Sequence, residues 1–115
     1  MAEGFLTITG ITQTSQAGAG AHVGETVNFV VHTQNTEGTD NFRVELSGDL
    51  IDAVEFSLAA GLTKDLPFSF VMPDKDASIT INTYHFTEEG WAWDSSSVWE
   101  LLFPFMNIQD RPFKQ

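Results

Sequence analysis

The 115-residue chain contains no cysteine. That excludes a disulfide scaffold, a thiolate zinc site and a cysteine nucleophile. Cations are scarce: 5 Lys+Arg stand against 16 Asp+Glu, for a net charge of −11. Too few positive groups are present to replace the counterions of a nucleic acid, so no nucleic acid partner is expected. The same shortage disfavours an anionic membrane surface. No apolar run approaches the roughly 20 residues of a membrane-spanning helix. The start, MAEGFLTITG, lacks the basic and apolar regions of a secretory leader. The chain is therefore expected to be made in a host cytoplasm and kept there unless it leaves by another route, such as release inside a virus particle, which would make a virion its location. A cell-surface or extracellular location is the alternative. No internal repeat or low-complexity stretch is visible.

What is abundant is alternation. Hydrophobic residues make up 42% of the chain, including ten Phe and three Trp, which excludes disorder despite the charge. Val27, Phe29 and Val31 share one parity, as do Phe42, Val44 and Leu46, with Arg43 and Glu45 on the other. Leu66, Phe68 and Phe70 repeat the pattern, then Ile79 and Ile81, then Trp99, Leu101 and Phe103. Phe5–Thr9 is rich in strand formers, and Asp49–Leu58 reads as a further strand between two turns. Gly, Asn and Asp clusters punctuate the runs every ten residues or so, among them Ala17-Gly18-Ala19-Gly20, Asn35-Thr36-Glu37-Gly38, Ser47-Gly48-Asp49 and Glu88-Glu89-Gly90. The expected fold is all-β: an immunoglobulin-like antiparallel β-sandwich of about seven strands over residues 1–103, followed by an apolar, proline-containing tail over 104–115. Pro67 cannot donate to a ladder, so its strand is expected at a sheet edge or with Pro67 turned away from its neighbour.

Three turn motifs occur in order: Val23-Gly24-Glu25-Thr26-Val27 before a strand that closes on Asn35-Thr36-Glu37-Gly38, then Leu58-Ala59-Ala60-Gly61-Leu62-Thr63-Lys64, then Phe68-Ser69-Phe70-Val71-Met72-Pro73-Asp74. Over roughly residues 4 to 103 this resembles the CARDB-type immunoglobulin-like domain of bacterial and archaeal surface proteins and of phage and viral gene products. The resemblance implies a seven-stranded sandwich and a role in adhesion, spacing or assembly, with no catalytic residues to transfer. A lone domain with an apolar tail is closer to the viral and phage structural members than to the long secreted ones.

Motifs for chemistry are missing. His22, His32 and His85 lack the short spacing of a metal site and read as solvated or structural. Asp74 and Asp76 flank Lys75 without the pattern of an EF-hand. Ser95-Ser96-Ser97 has no nucleophile-elbow context, and Gly18-Ala19-Gly20-Ala21 is no dinucleotide fingerprint. No enzyme activity, cofactor or metal is expected.

The functional leads are apolar. Tyr84, Phe86, Trp91 and Trp93 fall within ten residues around the turn Thr87-Glu88-Glu89-Gly90. In one reading, Trp91 and Trp93 close the end of the sandwich over the core. In the other, all four face outward as an interface or a sugar-stacking platform. The tail residues Phe105, Met106, Ile108 and Phe113 either fold back on the core or dock on a partner or sister subunit. The expected function is a structural, protein-interaction module, most concretely a minor capsid, cement or decoration protein. Its partners would be protein subunits, including a homo-oligomer. A carbohydrate-binding or adhesion module using exposed aromatics is the alternative.

Overall fold

A computed structural model of the protein describes residues 3–15 and 21–101. The turn Ala17-Gly18-Ala19-Gly20, Phe103 and the tail positions Phe105, Met106, Ile108 and Phe113 lie outside the described residues. Within them are seven strands: β1 (Leu6–Gln13), β2 (Thr26–Asn35), β3 (Asp40–Gly48), β4 (Asp52–Leu58), β5 (Thr63–Val71), β6 (Ala77–Thr87) and β7 (Gly90–Leu101). They form two antiparallel sheets, a three-stranded one ordered β1-β2-β5 and a four-stranded one ordered β4-β3-β6-β7. The chain crosses between sheets after β2, β4 and β5, so the hairpin β1–β2 lies in one layer and the hairpins β3–β4 and β6–β7 in the other. This is the immunoglobulin-like sandwich that the alternation predicts.

The core follows directly from the parity of the strands. Val27, Phe29 and Val31 of β2, Phe42 and Val44 of β3, and Ile79 and Ile81 of β6 are buried between the sheets. Phe29 sits at the centre, with ring centroids 5.7 Å from Phe68, 6.0 Å from Phe70 and 4.6 Å from Trp99. Each such large side chain contributes about 1.5–3 kcal/mol by leaving water. Pro67 is exposed on β5, and β5 is an edge strand, as its missing donor requires. The Asp49–Leu58 stretch is a strand only from Asp52, because Gly48 (φ 100°) and Asp49 first turn the chain.

Asn35 and its turn hold one end of the sandwich. Its fully buried amide accepts from the backbone N–H of Phe5 (3.3 Å) and Glu37 (3.1 Å) and donates to the carbonyls of Gly38 (2.8 Å) and Leu58 (3.1 Å). One side chain thereby ties β1, β2 and the ends of both neighbouring turns, which accounts for an asparagine where the strand closes.

Candidate interaction face

Strand β6 sets the geometry of the face. Ile79, Ile81 and Thr83 point inward, so Asn82, Tyr84 and Phe86 are carried on the outer side of the four-stranded sheet. The hairpin to β7 turns through Glu88-Glu89 and pairs Thr87 with Gly90, whose φ of 117° suits glycine. That register sets Trp91 directly opposite Phe86 and Trp93 opposite Tyr84. Both tryptophans therefore lie outside. Trp93 is 61% exposed, Phe86 48% and Trp91 37%, while Tyr84 is half-buried. The reading in which Trp91 and Trp93 close over the core is not what the structure shows.

A β-bulge explains the difference. The register slips between Thr83 and Tyr84, where Thr83 pairs with Ser95 but Tyr84 pairs with Trp93. Asp94 is the extra residue. It is 4% exposed and points inward, in step with Ala92 above it and out of step with Trp99 and Leu101 below. Below the bulge Trp99 and Leu101 face the core; above it Trp91 and Trp93 face solvent.

Two rows of side chains cross this face. In the row nearer the hairpin, Ser57 of β4 lies opposite Asn41 of β3, and Phe86 lies opposite Trp91. In the next, Glu55, Arg43, Tyr84 and Trp93 follow one another across all four strands. The aromatic half is thus on β6 and β7, and the polar half on β3 and β4. Phe86 and Trp91 meet edge to face, with centroids 5.4 Å apart and planes at 74°. Trp93 Nε1 donates to Asn82 Oδ1 at 3.1 Å, which fixes the indole against the sheet. Ser57 Oγ donates to Asn41 Oδ1. Arg43 donates through Nε to Glu45 (2.6 Å) and through Nη1 to Glu55 Oε2. The guanidinium pKa is raised by the hydrogen bond to Glu45 against desolvation, with Glu55 adding to it. The Tyr84 phenol is pushed up by burial first and by the neighbouring Glu45 carboxylate next. Between the two halves, Asn41, Glu55, Phe56, Ser57, Phe86 and Trp91 line an open depression of about 380 Å³.

On the inner side of the bulge the sequence reading missed a polar clamp. Asp94 Oδ2 accepts the N–H of Leu6 at 2.9 Å, and its Oδ1 accepts from His85 Nδ1 at 2.6 Å. The Oγ atoms of Thr83 and Ser95 both donate to the Leu6 carbonyl, at 2.7 and 2.8 Å. His85 Nε2 in turn reaches Glu3 at 3.3 Å. Burial pulls the His85 pKa down, but the hydrogen bond and charge of Asp94, followed by those of Glu3, outweigh it and leave the pKa raised. His85 is a structural histidine. So is His32, which lies between Thr12 (2.8 Å) and Asp65 (2.8 Å); His22 is in an exposed loop. Ser95 is spent on the clamp rather than available as a nucleophile. Among the described residues no group of three or more His, Asp or Glu is placed to hold a metal ion. No family model matches the chain, and no curated protein or solved structure does either.

Proposed function

We propose that the protein is a non-enzymatic interaction module that binds other protein subunits through the outer face of its four-stranded sheet. The observation that carries this reading is the exposure of Trp91, Trp93 and Phe86 side by side on a sheet that needs none of them for its core. Solvent exposure of large aromatics has a standing cost in water. Aromatic residues beside a polar, hydrogen-bonded rim are the composition of an interface centre. The acidic surface keeps free copies apart until a less acidic partner is met. The concrete setting, a minor capsid, cement or decoration protein, rests on the resemblance of the turn motifs to the CARDB-type domains of phage and viral gene products. The tail from Phe105 to Phe113 would add a second anchor.

The alternative, a carbohydrate-binding module, is favoured by the same exposed rings beside Asn41 and Asn82. Stacking on a flat sugar chain calls for rings presented in one plane, and Phe86 and Trp91 stand at 74° to each other. The deciding experiment is affinity purification from the native source with wild type and the Trp91→Ala/Trp93→Ala double variant, alongside a glycan array. A stoichiometric protein partner recovered by wild type and lost with the double variant supports the interface. Glycan binding lost in the same variant replaces it with the second reading.

A further inference from the structure

The depression beside Phe86 and Trp91 joins two chemistries that rarely meet by chance. One wall is aromatic and exposed; the other carries the Glu55 carboxylate and the side-chain oxygens of Asn41 and Ser57. Arg43 engages Glu55 through Oε2, and Oε1 makes no hydrogen bond or ion pair with another of the described residues. A neutral apolar side chain would satisfy only the first wall, and an anion would be repelled by the second. A lysine or arginine side chain satisfies both: its methylene stem lies on the rings while its head reaches the carboxylate. The surroundings have the same bias. Glu88 and Glu89 form the turn next to the Phe86–Trp91 pair, Glu45 lies one row further from Glu55, and Arg43 is the only Lys or Arg on the four strands of this sheet. Over the whole chain the charge is −11.

We propose that this depression is the anchor pocket of the face and that it receives a lysine or arginine side chain from a basic segment of the partner protein, an inference that rests on the protein-interaction reading above. The net charge draws the basic segment in from a distance, and the Phe86–Trp91 pair selects a cation with an apolar stem. Desolvation by the rings strengthens the attraction to Glu55 beyond that of an exposed ion pair.

The test uses the full chain, labelled with ¹⁵N and titrated with a Gly-Ser peptide bearing several lysines. Peptides of the same length bearing glutamate or no charge, and a set of soluble β-glucan and chitin oligosaccharides, serve as comparisons. The expected result is saturable shifts of the Trp91 indole N–H and the amides of Asn41, Ser57 and Phe86 with the lysine peptide only. Glu55→Gln is expected to weaken binding about threefold or more, and Trp91→Ala by about tenfold. Val98→Ala, an exposed change at the far end of the same face, is expected to leave binding unchanged. Raising salt from about 0.05 to about 0.5 M is expected to weaken it further. If the lysine peptide shifts only scattered acidic turns and spares Trp91, the pocket assignment is overturned while the protein-interaction reading stands. If an oligosaccharide shifts Trp91 in place of the peptide, both fall. Folding of each variant is checked by its amide spectrum, and Trp91→Phe, which keeps a ring, separates loss of the platform from loss of the fold.

Discussion

Asp94 accepts the backbone N–H of Leu6 at 2.9 Å, a bond between residues 88 positions apart that ties the first strand to the last. Strand β1 pairs in the ladder with β2 alone, in the sheet opposite β7. The carboxylate of Asp94 and the hydroxyls of Thr83 and Ser95 together satisfy both backbone groups of Leu6, so they do for β1 what a second ladder would have done.

Replacing Asp94 by alanine leaves a buried N–H and the His85 imidazole without their acceptor. The expected cost is about 3 kcal/mol in denaturant-induced unfolding. Asp94→Asn keeps an acceptor for Leu6 and is expected to lose less. Equal losses would mean that the charge on His85, rather than the Leu6 bond, is what holds the clamp.

His85 gives the stability a pH dependence of known sign. Its folded pKa is raised above the ordinary 6.5. The folded state therefore binds the proton more tightly than the unfolded state does. The stabilisation is complete below about pH 6.5 and is lost as pH rises through the folded value. Thermal melts across that range are expected to show a downward slope that His85→Gln flattens.

Asp49 acts at the other end of the scale. Its hydrogen bond from Lys75 (2.7 Å), then that from the Ser78 amide (2.7 Å), lower its pKa from the ordinary 3.8. Its contribution is present above that value and lost as pH falls through the folded one. Asp49→Asn is expected to remove this part of the acid unfolding transition, measured by circular dichroism.

Two glycines with similar φ separate strain from collision. Gly61 (φ 81°) has nothing within 4 Å of an added Cβ, so Gly61→Ala is expected to cost about 1 kcal/mol from the left-handed backbone alone. At Gly48 (φ 100°) the Cβ would fall 2.4 Å from the Ser78 carbonyl oxygen. Gly48→Ala is expected to cost about 3 kcal/mol or more, since a paired backbone must shift as well.

The three tryptophans divide in the same way. Trp99 packs 4.6 Å from Phe29, and Trp99→Ala is expected to cost about 3–5 kcal/mol. Trp93 is 61% exposed, and Trp93→Ala is expected to change stability by less than about 1 kcal/mol. A large loss at Trp93 would make it a folding residue and weaken its claim to a partner.

The sandwich itself was legible because alternation over Val27–Val31, Phe42–Leu46 and Ile79–Ile81 admits one buried face per strand. The edge position of β5 was legible from Pro67 for a backbone reason. The placement of Trp91 and Trp93 was harder, since they share odd parity with Trp99 and Leu101, which are inside. The signal was nonetheless there. A tight turn at Glu88-Glu89 puts Trp91 on the side of Phe86, whereas the alternation from Leu101 back through Trp99 puts it inside. The two demands conflict, and only an extra residue between them satisfies both. The clamp on Leu6 left no such trace, because its partners are distant in the chain and each is an ordinary strand residue alone.

The extra residue at Asp94 also divides β7 into two reading frames. Removing Asp94 alone would leave a regular ladder, with Trp93 still opposite Tyr84 and Trp91 still opposite Phe86, so both would stay outside while Leu6 lost its carboxylate acceptor. What depends on the extra residue is therefore the tie between the first strand and the last, not the side of the sheet on which the rings lie. A sequence one residue shorter here would keep the aromatic face and give up the clamp.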